Sequence, residues 1–365
     1  MEGRRGGEGR REARGCRTRA SLNTPCRGCE GRPLVGLRRD LVWRSKVCAF
    51  PPLALAELPA AGHKGGMQPS VAHHVVAVTS EPKPLSELVT LLRGRRILAL
   101  TGAGCSTESG IPDYRGPETR HKPRNPIQGP DFARSAEVRR RYWARAVVGF
   151  ERFWAARPNP AHHALARLER EGKLSAILTQ NVDGLHRAAG SRRVVELHGA
   201  LDEAFCLACG EIEPRAALQA RLLERNPGFL SFAAEAAPDG DADLPAEAVN
   251  RFTVAPCLSC EGPLKPRVVF FGDNVPRPVV DEAFALVDAA EALLVVGTSL
   301  TVFSGYRFLL RARDRGIPVG VVNIGPVRGE ALCAVRVEAR AGEALPALAE
   351  ALAAPEAFPE LGAYG

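Results

Sequence analysis

The stretch Ile97-Leu98-Ala99-Leu100-Thr101-Gly102-Ala103-Gly104-Cys105-Ser106 decides how this 365-residue chain is read. Ile97 to Leu100 form an unbroken apolar run behind Arg95 and Arg96, the pattern of a strand buried on both faces. A buried strand feeding glycines two residues apart makes a turn tight enough to bring backbone N–H groups against a pyrophosphate. Ser106 to Ser109 then read as the opening of a helix whose free N–H groups face an anion. The third glycine of the usual dinucleotide fingerprint is missing, and no acid ends an obvious second strand. Gly-Ala-Gly alone therefore fits a plain tight turn equally well.

The continuation separates the two readings. Ser109-Gly110-Ile111-Pro112-Asp113-Tyr114-Arg115 is rigid, polar and aromatic, which a structural turn does not require. Together with Gln180-Asn181-Val182-Asp183-Gly184-Leu185-His186, Glu196-Leu197-His198-Gly199 and Gly297-Thr298-Ser299, it resembles the ordered motifs of the sirtuins from about residue 85 to 353. Arg141-Tyr142-Trp143-Ala144-Arg145, Pro158-Asn159-Pro160-Ala161-His162 and Ser304-Gly305-Tyr306-Arg307-Phe308 are most similar to the mitochondrial class II branch, the sirtuin-four type. Cys105, in place of a branched aliphatic residue, departs from that branch, as does the stretch before residue 85.

The net charge of +8 has a local origin. Residues 1–66 carry 14 Lys and Arg against 6 Asp and Glu, and the remainder balances at 35 against 35. A neutral remainder argues against a specific nucleic-acid face. No apolar run reaches membrane-spanning length, which argues against a membrane partner. The Arg/Gly-rich stretch lacks hydrophobic periodicity, so residues 1–84 read as a disordered extension. Glu2, Glu8, Glu12 and Glu30 depart from the acid-poor pattern of a mitochondrial presequence. An atypical targeting segment and an upstream extension with Met67 as an internal start are the two readings. Cys26 and Cys29 read as free thiols.

From Pro84 to Arg93 the leucine spacing predicts an amphipathic helix. Prolines at 117, 123, 126 and 130 predict an irregular lid-like loop. Ser135 to Ala156 reads as a helix or a broken pair, with Val138, Tyr142, Ala146 and Phe150 facing the core. Arg139, Arg140, Arg141 and Arg145 are its candidates for meeting an acidic acyl group. The desuccinylase branch of the family has a Tyr-x-x-Arg pair where this chain shows Arg141 and Ala144, so the resemblance does not extend to succinyl preference. Asn159-Pro160 starts another helix. Strands at Ser175–Thr179 and Arg193–Leu197 deliver Gln180, Asn181, Asp183 and His198 to one C-terminal edge, where open parallel sheets bind ligands. A lone histidine after a strand is usually structural; sharing an edge with Asn181 and Asp183 marks this one as functional.

Cys206-x-x-Cys209 and Cys257-x-x-Cys260 have the spacing of a closed, four-thiolate structural zinc site. The insert 211–256 is predicted to form helices over that small lobe, and the chain to rejoin the main sheet with the strand Arg267–Phe271. Strands Ala292–Val296, Pro318–Val322 and Ala334–Glu338 and a helix Ala344–Ala353 complete the pattern. The fold class is α/β: a Rossmann-like parallel sheet with helices on both faces and an inserted small zinc-binding lobe. The NAD-binding large domain spans 85–200 and 264–353, the lobe 201–263 and a tail 354–365.

The resemblance implies an enzyme that consumes NAD as a co-substrate and carries one structural zinc. His198 is then the general base, with Asn181 and Asp183 also catalytic. Cofactor contacts fall on Gly102, Ala103, Gly104, Ser106, Thr107, Ile111, Pro112, Asp113, Tyr114 and Arg115, and on Gln180, Asn181, Val182 and Asp183. They continue at Gly297, Thr298, Ser299, Asn323, Ile324, Gly325 and Ala341. A substrate peptide pairs by strand addition with Val269, Phe270, Phe271 and Gly272. The branch implies removal of bulky acyl groups, such as lipoyl, biotinyl or methylglutaryl, from metabolic enzymes of the mitochondrial matrix. Glutamate dehydrogenase and lipoyl-bearing dehydrogenase complexes are the partners it suggests. Mono-ADP-ribosyl transfer and non-catalytic NAD-dependent regulation are the alternatives. Cys105 is either a thiol activated at a helix N-terminus or a small residue in an aliphatic slot.

Overall fold

The computed structural model describes residues 83–114, 119, 126–232 and 244–355. The N-terminal extension with Met67, Cys26 and Cys29, most of the proline-rich loop, Arg115 and the C-terminal tail beyond residue 355 lie outside the described residues. The strands are β1 (Ile97–Thr101), β2 (Leu174–Thr179), β3 (Val194–Glu196), β4 (Gly199–Cys206), β5 (Ile212–Pro214), β6 (Leu264–Val268), β7 (Ala292–Val296), β8 (Val319–Val322) and β9 (Val335–Val337). The helices are α1 (Lys83–Leu92), α2 (Gly129–Arg134), α3 (Ala136–Ala155), α4 (Pro160–Arg170), α5 (Leu185–Ala188), α6 (Arg215–Arg225), α7 (Ala246–Arg251), α8 (Arg277–Ala289), α9 (Phe303–Asp314) and α10 (Ala341–Ala353). Among the described residues, no helix is long and apolar enough to cross a membrane.

Six strands form a parallel sheet in the order β3-β2-β1-β7-β8-β9. Every residue of β1 and β7 is buried because both faces are covered, which is why these strands read as unbroken apolar runs. Ile97, Ala99 and Leu294 pack under α1, α4 and α10, while Leu98, Leu100 and Leu293 pack under α8 and α9. The chain steps outward from β1 to β3 on one side and from β7 to β9 on the other. β1 and β7 thus flank the point where strand order reverses, the place where such sheets open a crevice.

The turn after β1 is built differently from the expected helix. Two short 3₁₀ turns, Ala103–Cys105 and Thr107–Ser109, replace it. Gly110 enters the left-handed region at φ +84°, and Pro112 follows without an N–H, so no α-helix propagates. α3 is one continuous helix, capped by Ser135, whose hydroxyl accepts from the Val138 N–H.

β6 differs from expectation more consequentially. It starts three residues before the predicted strand and pairs antiparallel with β4, not with the main sheet. The small lobe is therefore a three-stranded sheet, β5-β4-β6, and the chain returns to the main layers only with α8. The apolar character of Val269 to Phe271 has another cause: Phe270 packs against Phe132 and Tyr142, with ring centroids 5.1 and 5.2 Å apart. Polar contacts fasten the lobe to α3, among them Gln219 Nε2 donating to the Val147 carbonyl at 2.9 Å. Trp143 Nε1 donates to the Leu264 carbonyl at 3.0 Å. The buried Arg215 guanidinium donates to Gln219 and the Ala146 carbonyl and lies over the Phe150 ring at 4.2 Å.

Candidate active site

A cleft of 780 Å³ opens where the ends of β1, β2, β7 and β8 face the segment after β6. Gly102, Ala103 and Gly104 form its floor with Gly297, Thr298 and Ser299, and no side chain fits between them. A Cβ at Gly102 would lie 2.6 Å from Thr298 Cβ, and one at Gly104 2.9 Å from the Gly297 carbonyl. Ser106, Ile111, Asp113, Tyr114, Gln180, Asn181, Val182, Asp183 and His198 continue the lining, as do Asn323, Ile324 and Gly325. Val269, Phe270, Phe271 and Gly272 stand on the facing wall. Three expected contacts, Thr107, Pro112 and Ala341, do not line the cleft. Thr107 Oγ1 donates to the Gly104 carbonyl at 3.2 Å, and Ala341 is buried in the core at the start of α10.

The polar floor is one connected network. Asn181 Nδ2 donates to the Gly102 carbonyl at 3.1 Å and to Ser106 Oγ at 3.0 Å. Ser106 Oγ in turn donates to Asp183 Oδ2 at 2.7 Å. Burial pushes the Asp183 carboxyl above its usual range, opposed by the Leu185 N–H and the Ser106 hydroxyl. Gln180 Nε2 ties the end of β2 to Thr298 Oγ1 at 3.0 Å.

His198 sits in the junction between β3 and β4. Its Nδ1 lies 2.8 Å from the Gln180 carbonyl, which can only accept, so Nδ1 carries the proton. Nε2 then bears the lone pair and accepts from Ser304 Oγ at 2.8 Å. Burial holds the imidazole below its ordinary value of 6.5 and the nearby Arg307 lowers it further, while the Gln180 carbonyl opposes both. A neutral imidazole with a fixed tautomer and a basic nitrogen facing the cleft has what a general base requires. The acid limb of the kcat/KM profile is accordingly expected below pH 6.5, because the base form survives to lower pH. Initial rates between pH 5 and 8, on the order of the range where imidazoles titrate, check this; a limb above the ordinary value would contradict it.

Ser304 and Arg307 were not among the residues given roles from sequence. They enter from the first turns of α9, more than 100 residues beyond His198, and the signal that could have found them was the Ser304–Phe308 motif already noted as a mark of the branch. Arg307 lines the cleft with its Nε buried and without a hydrogen bond, its guanidinium 5.3 Å from the Phe303 ring centroid. The arginines of α3 are placed elsewhere. Arg140, Arg141 and Arg145 line a separate 440 Å³ pocket with Leu244 and Val249, and Arg139 donates to the Phe132 and Ala133 carbonyls. A Tyr-x-x-Arg pair does occur one residue along, at Tyr142 and Arg145, but only Tyr142 reaches the cleft. Cys105 is fully buried, and burial, reinforced by the charges of Asp183 and Glu108, pushes its thiol far above the usual range. Of the two readings of Cys105, the structure supports the small residue in an aliphatic slot: the side chain lies in the apolar core, and the short 3₁₀ turns give it no α-helix N-terminus to activate the thiol.

At the far end of the small lobe the sulfur atoms of Cys206, Cys209, Cys257 and Cys260 lie within 4.8 Å of one another. Two of these contacts are 3.5 and 3.7 Å, and the Ala208 and Ser259 N–H groups point at sulfur. Four converging sulfurs with no other ligand fit a closed tetrahedral zinc site.

The profile of the Sir2 family matches residues 102–304, more than half of the chain. The chain belongs to the Sir2 family. This sirtuin is 50% identical over 263 residues to the NAD-dependent protein lipoamidase sirtuin-4, mitochondrial, of Bos taurus, covering 71% of this chain and 83% of that protein. It is also 50% identical over 246 residues to an NAD-dependent protein deacetylase of Xanthomonas axonopodis pv. citri, covering 67% and 84%. A solved structure of Sir2 with a p53 peptide and NAD+ aligns with a TM-score of 0.57 at 28% identity, covering 73% of this sirtuin and 97% of that chain.

Proposed function

We propose that this sirtuin is an NAD-dependent protein-lysine deacylase acting on bulky acyl groups in the mitochondrial matrix. The observation that carries the reading is the position of His198 Nε2, a neutral base on the same cleft as Asn181 and Asp183 and beside the Val269–Gly272 wall. NAD is consumed in the reaction: the bond from nicotinamide to ribose breaks, and the acyl-lysine carbonyl oxygen bonds to the anomeric carbon. Asp183 and Ile111 hold the nicotinamide end, and Gln180 and Asn181 hold the ribose. His198 takes the proton from a ribose hydroxyl, which then attacks the acyl carbon; the lysine amine departs and a water molecule adds, leaving free lysine and O-acyl-ADP-ribose. Tyr114 and Phe271, in edge contact at 6.5 Å, shield the sugar from water.

The four-cysteine cluster would hold a structural zinc and supply no chemistry. Because β6 shares the lobe's sheet and leads directly into the peptide wall, stripping zinc with a strong chelator is expected to abolish turnover together with lobe folding. Circular dichroism and activity before and after zinc is restored check this.

The relatives named lipoamidase and mitochondrial support lipoyl-lysine as the preferred substrate. Lipoyl-bearing dehydrogenase complexes and glutamate dehydrogenase are the proposed protein targets. The test is a panel of lipoyl-, biotinyl-, methylglutaryl- and acetyl-lysine peptides with NAD, read by mass spectrometry. O-acyl-ADP-ribose supports the reading. ADP-ribose attached to protein, or no nicotinamide release at all, overturns it in favour of ADP-ribosyl transfer or NAD-dependent regulation without catalysis.

A further inference from the structure

Beneath the cleft floor lies a cluster that the deacylase reading does not use. Cys105, His162 and His186 come from the turn after β1, from α4 and from α5, and all three are buried, at 0%, 0% and 2% exposure. The Cys105 sulfur and one ring nitrogen from each histidine lie within 4.8 Å of one another. We propose that these three side chains form a second metal site, separate from the four-cysteine lobe, which takes one soft or borderline d10 cation, Zn2+ or Cu+.

Three observations carry the assignment. First, the donor set is chemically selective: one thiolate with two imidazoles suits Zn2+ and Cu+ and disfavours hard ions such as Mg2+ or Ca2+. Second, the hydrogen bonding is incomplete in the way a ligand set is. His186 uses Nε2 on Thr101 Oγ1 at 2.9 Å, and its Nδ1 is buried with no hydrogen-bond partner. His162 has Nδ1 held by Asn159, leaving Nε2 with only a 3.4 Å contact to Ser106 Oγ. In metal sites a second-shell partner on one ring nitrogen fixes the ring while the other nitrogen faces the ion, and Thr101 and Asn159 occupy those positions. Third, no cation among the described residues acts on the carboxylate next to the cluster. That carboxylate, on Asp183, is joined to the cluster through Ser106, and a bound metal cation would act on it. Binding replaces the Cys105 thiol proton, which leaves to solvent as the sulfur–metal bond forms.

The site has a consequence for the cleft. Cys105 stands between Gly104 and Ser106, which both line it, and Ser106 contacts His162 and Asp183. An ion held by Cys105 and His162 takes the ring nitrogen that Ser106 Oγ contacts and re-seats the residue next to Ser106 at the cleft floor, so metal and NAD are coupled in opposition. The expected coupling is about tenfold in NAD affinity.

The experiment starts from full-length protein with the four-cysteine lobe already loaded with zinc. Zn2+, and separately Cu+ under reducing conditions, is added in a weak chelating buffer, and metal per chain is measured after desalting. NAD affinity is measured with and without the added ion. The expected result is one metal ion beyond the lobe's complement, lost in both Cys105→Val and His186→Gln. NAD binding should weaken in the wild type on metal addition and not in the variants. Valine fills the cysteine's aliphatic slot and glutamine keeps a partner for Thr101; should one variant fail to fold, the other decides. If the wild type takes up neither ion beyond the lobe, or the extra ion persists in the folded variants, the assignment is overturned. The metal count does not depend on which reaction the cleft performs.

Discussion

Replacing His198 with alanine is expected to lower deacylase kcat by about 10²- to 10⁴-fold, the usual worth of a positioned general base. The expectation rests on geometry. The Gln180 carbonyl fixes the Nδ1–H tautomer, so the lone pair can only be on Nε2, the nitrogen that reaches Ser304. Alanine removes that lone pair and leaves the cleft otherwise lined, so NAD affinity should change little beside the loss of turnover. Steady-state O-acyl-ADP-ribose formation measures the first quantity and calorimetric titration with NAD the second. A variant that turns over like the wild type would remove His198 from the mechanism.

The second large effect is expected at Gly297. Its φ of +59° is a left-handed conformation, and a Cβ there would lie 2.3 Å from the Cys105 nitrogen and 2.6 Å from the Gly104 carbonyl carbon. Both contacts are backbone, so no rotamer change relieves them. The residue is also pinned: its N–H donates to Val322 at 2.9 Å and its carbonyl accepts from Gly104 at 2.8 Å. Gly297→Ala should therefore destabilise the fold by roughly 2–5 kcal/mol, from backbone strain and overpacking together. NAD binding should be lost with it, because β1 and β7 are forced apart at the cleft floor. Gly94→Ala is the comparison: its φ is +71°, but nothing lies within 4 Å of the added carbon. It should cost about 1 kcal/mol and leave NAD binding intact. Urea unfolding of both variants gives the difference directly.

How far the amino-acid sequence foretold these features depended on what each one rests on. β1 and β7 were legible because burial on both faces writes itself as an apolar run. The four cysteines were legible because their spacing is local on each arm. β6 was not, since Leu264-Lys265-Pro266-Arg267-Val268 has two cations and a proline. Only its pairing with β4 makes it a strand, and pairing partners leave no mark in the strand itself. The neighbouring apolar Val269 to Phe271 drew the prediction along the chain. The α3 arginines were visible as charges, yet which cavity they line is decided by where the small lobe sits against that helix. Ser304 reaches His198 because α9 starts beside the end of β7, a relation made in space and absent from local pattern.

The proposed base and the small lobe share one piece of backbone. His198 precedes the first residue of β4, its carbonyl accepts from the Val269 N–H at 2.9 Å, and Gly199 next to it is locked at φ +77° under the Arg267 carbonyl. The imidazole therefore rides at the root of a two-stranded lever whose arm is the lobe. Whatever tilts that arm steers the proton acceptor, so seating a polypeptide along the adjoining edge and aiming the acceptor become a single mechanical act.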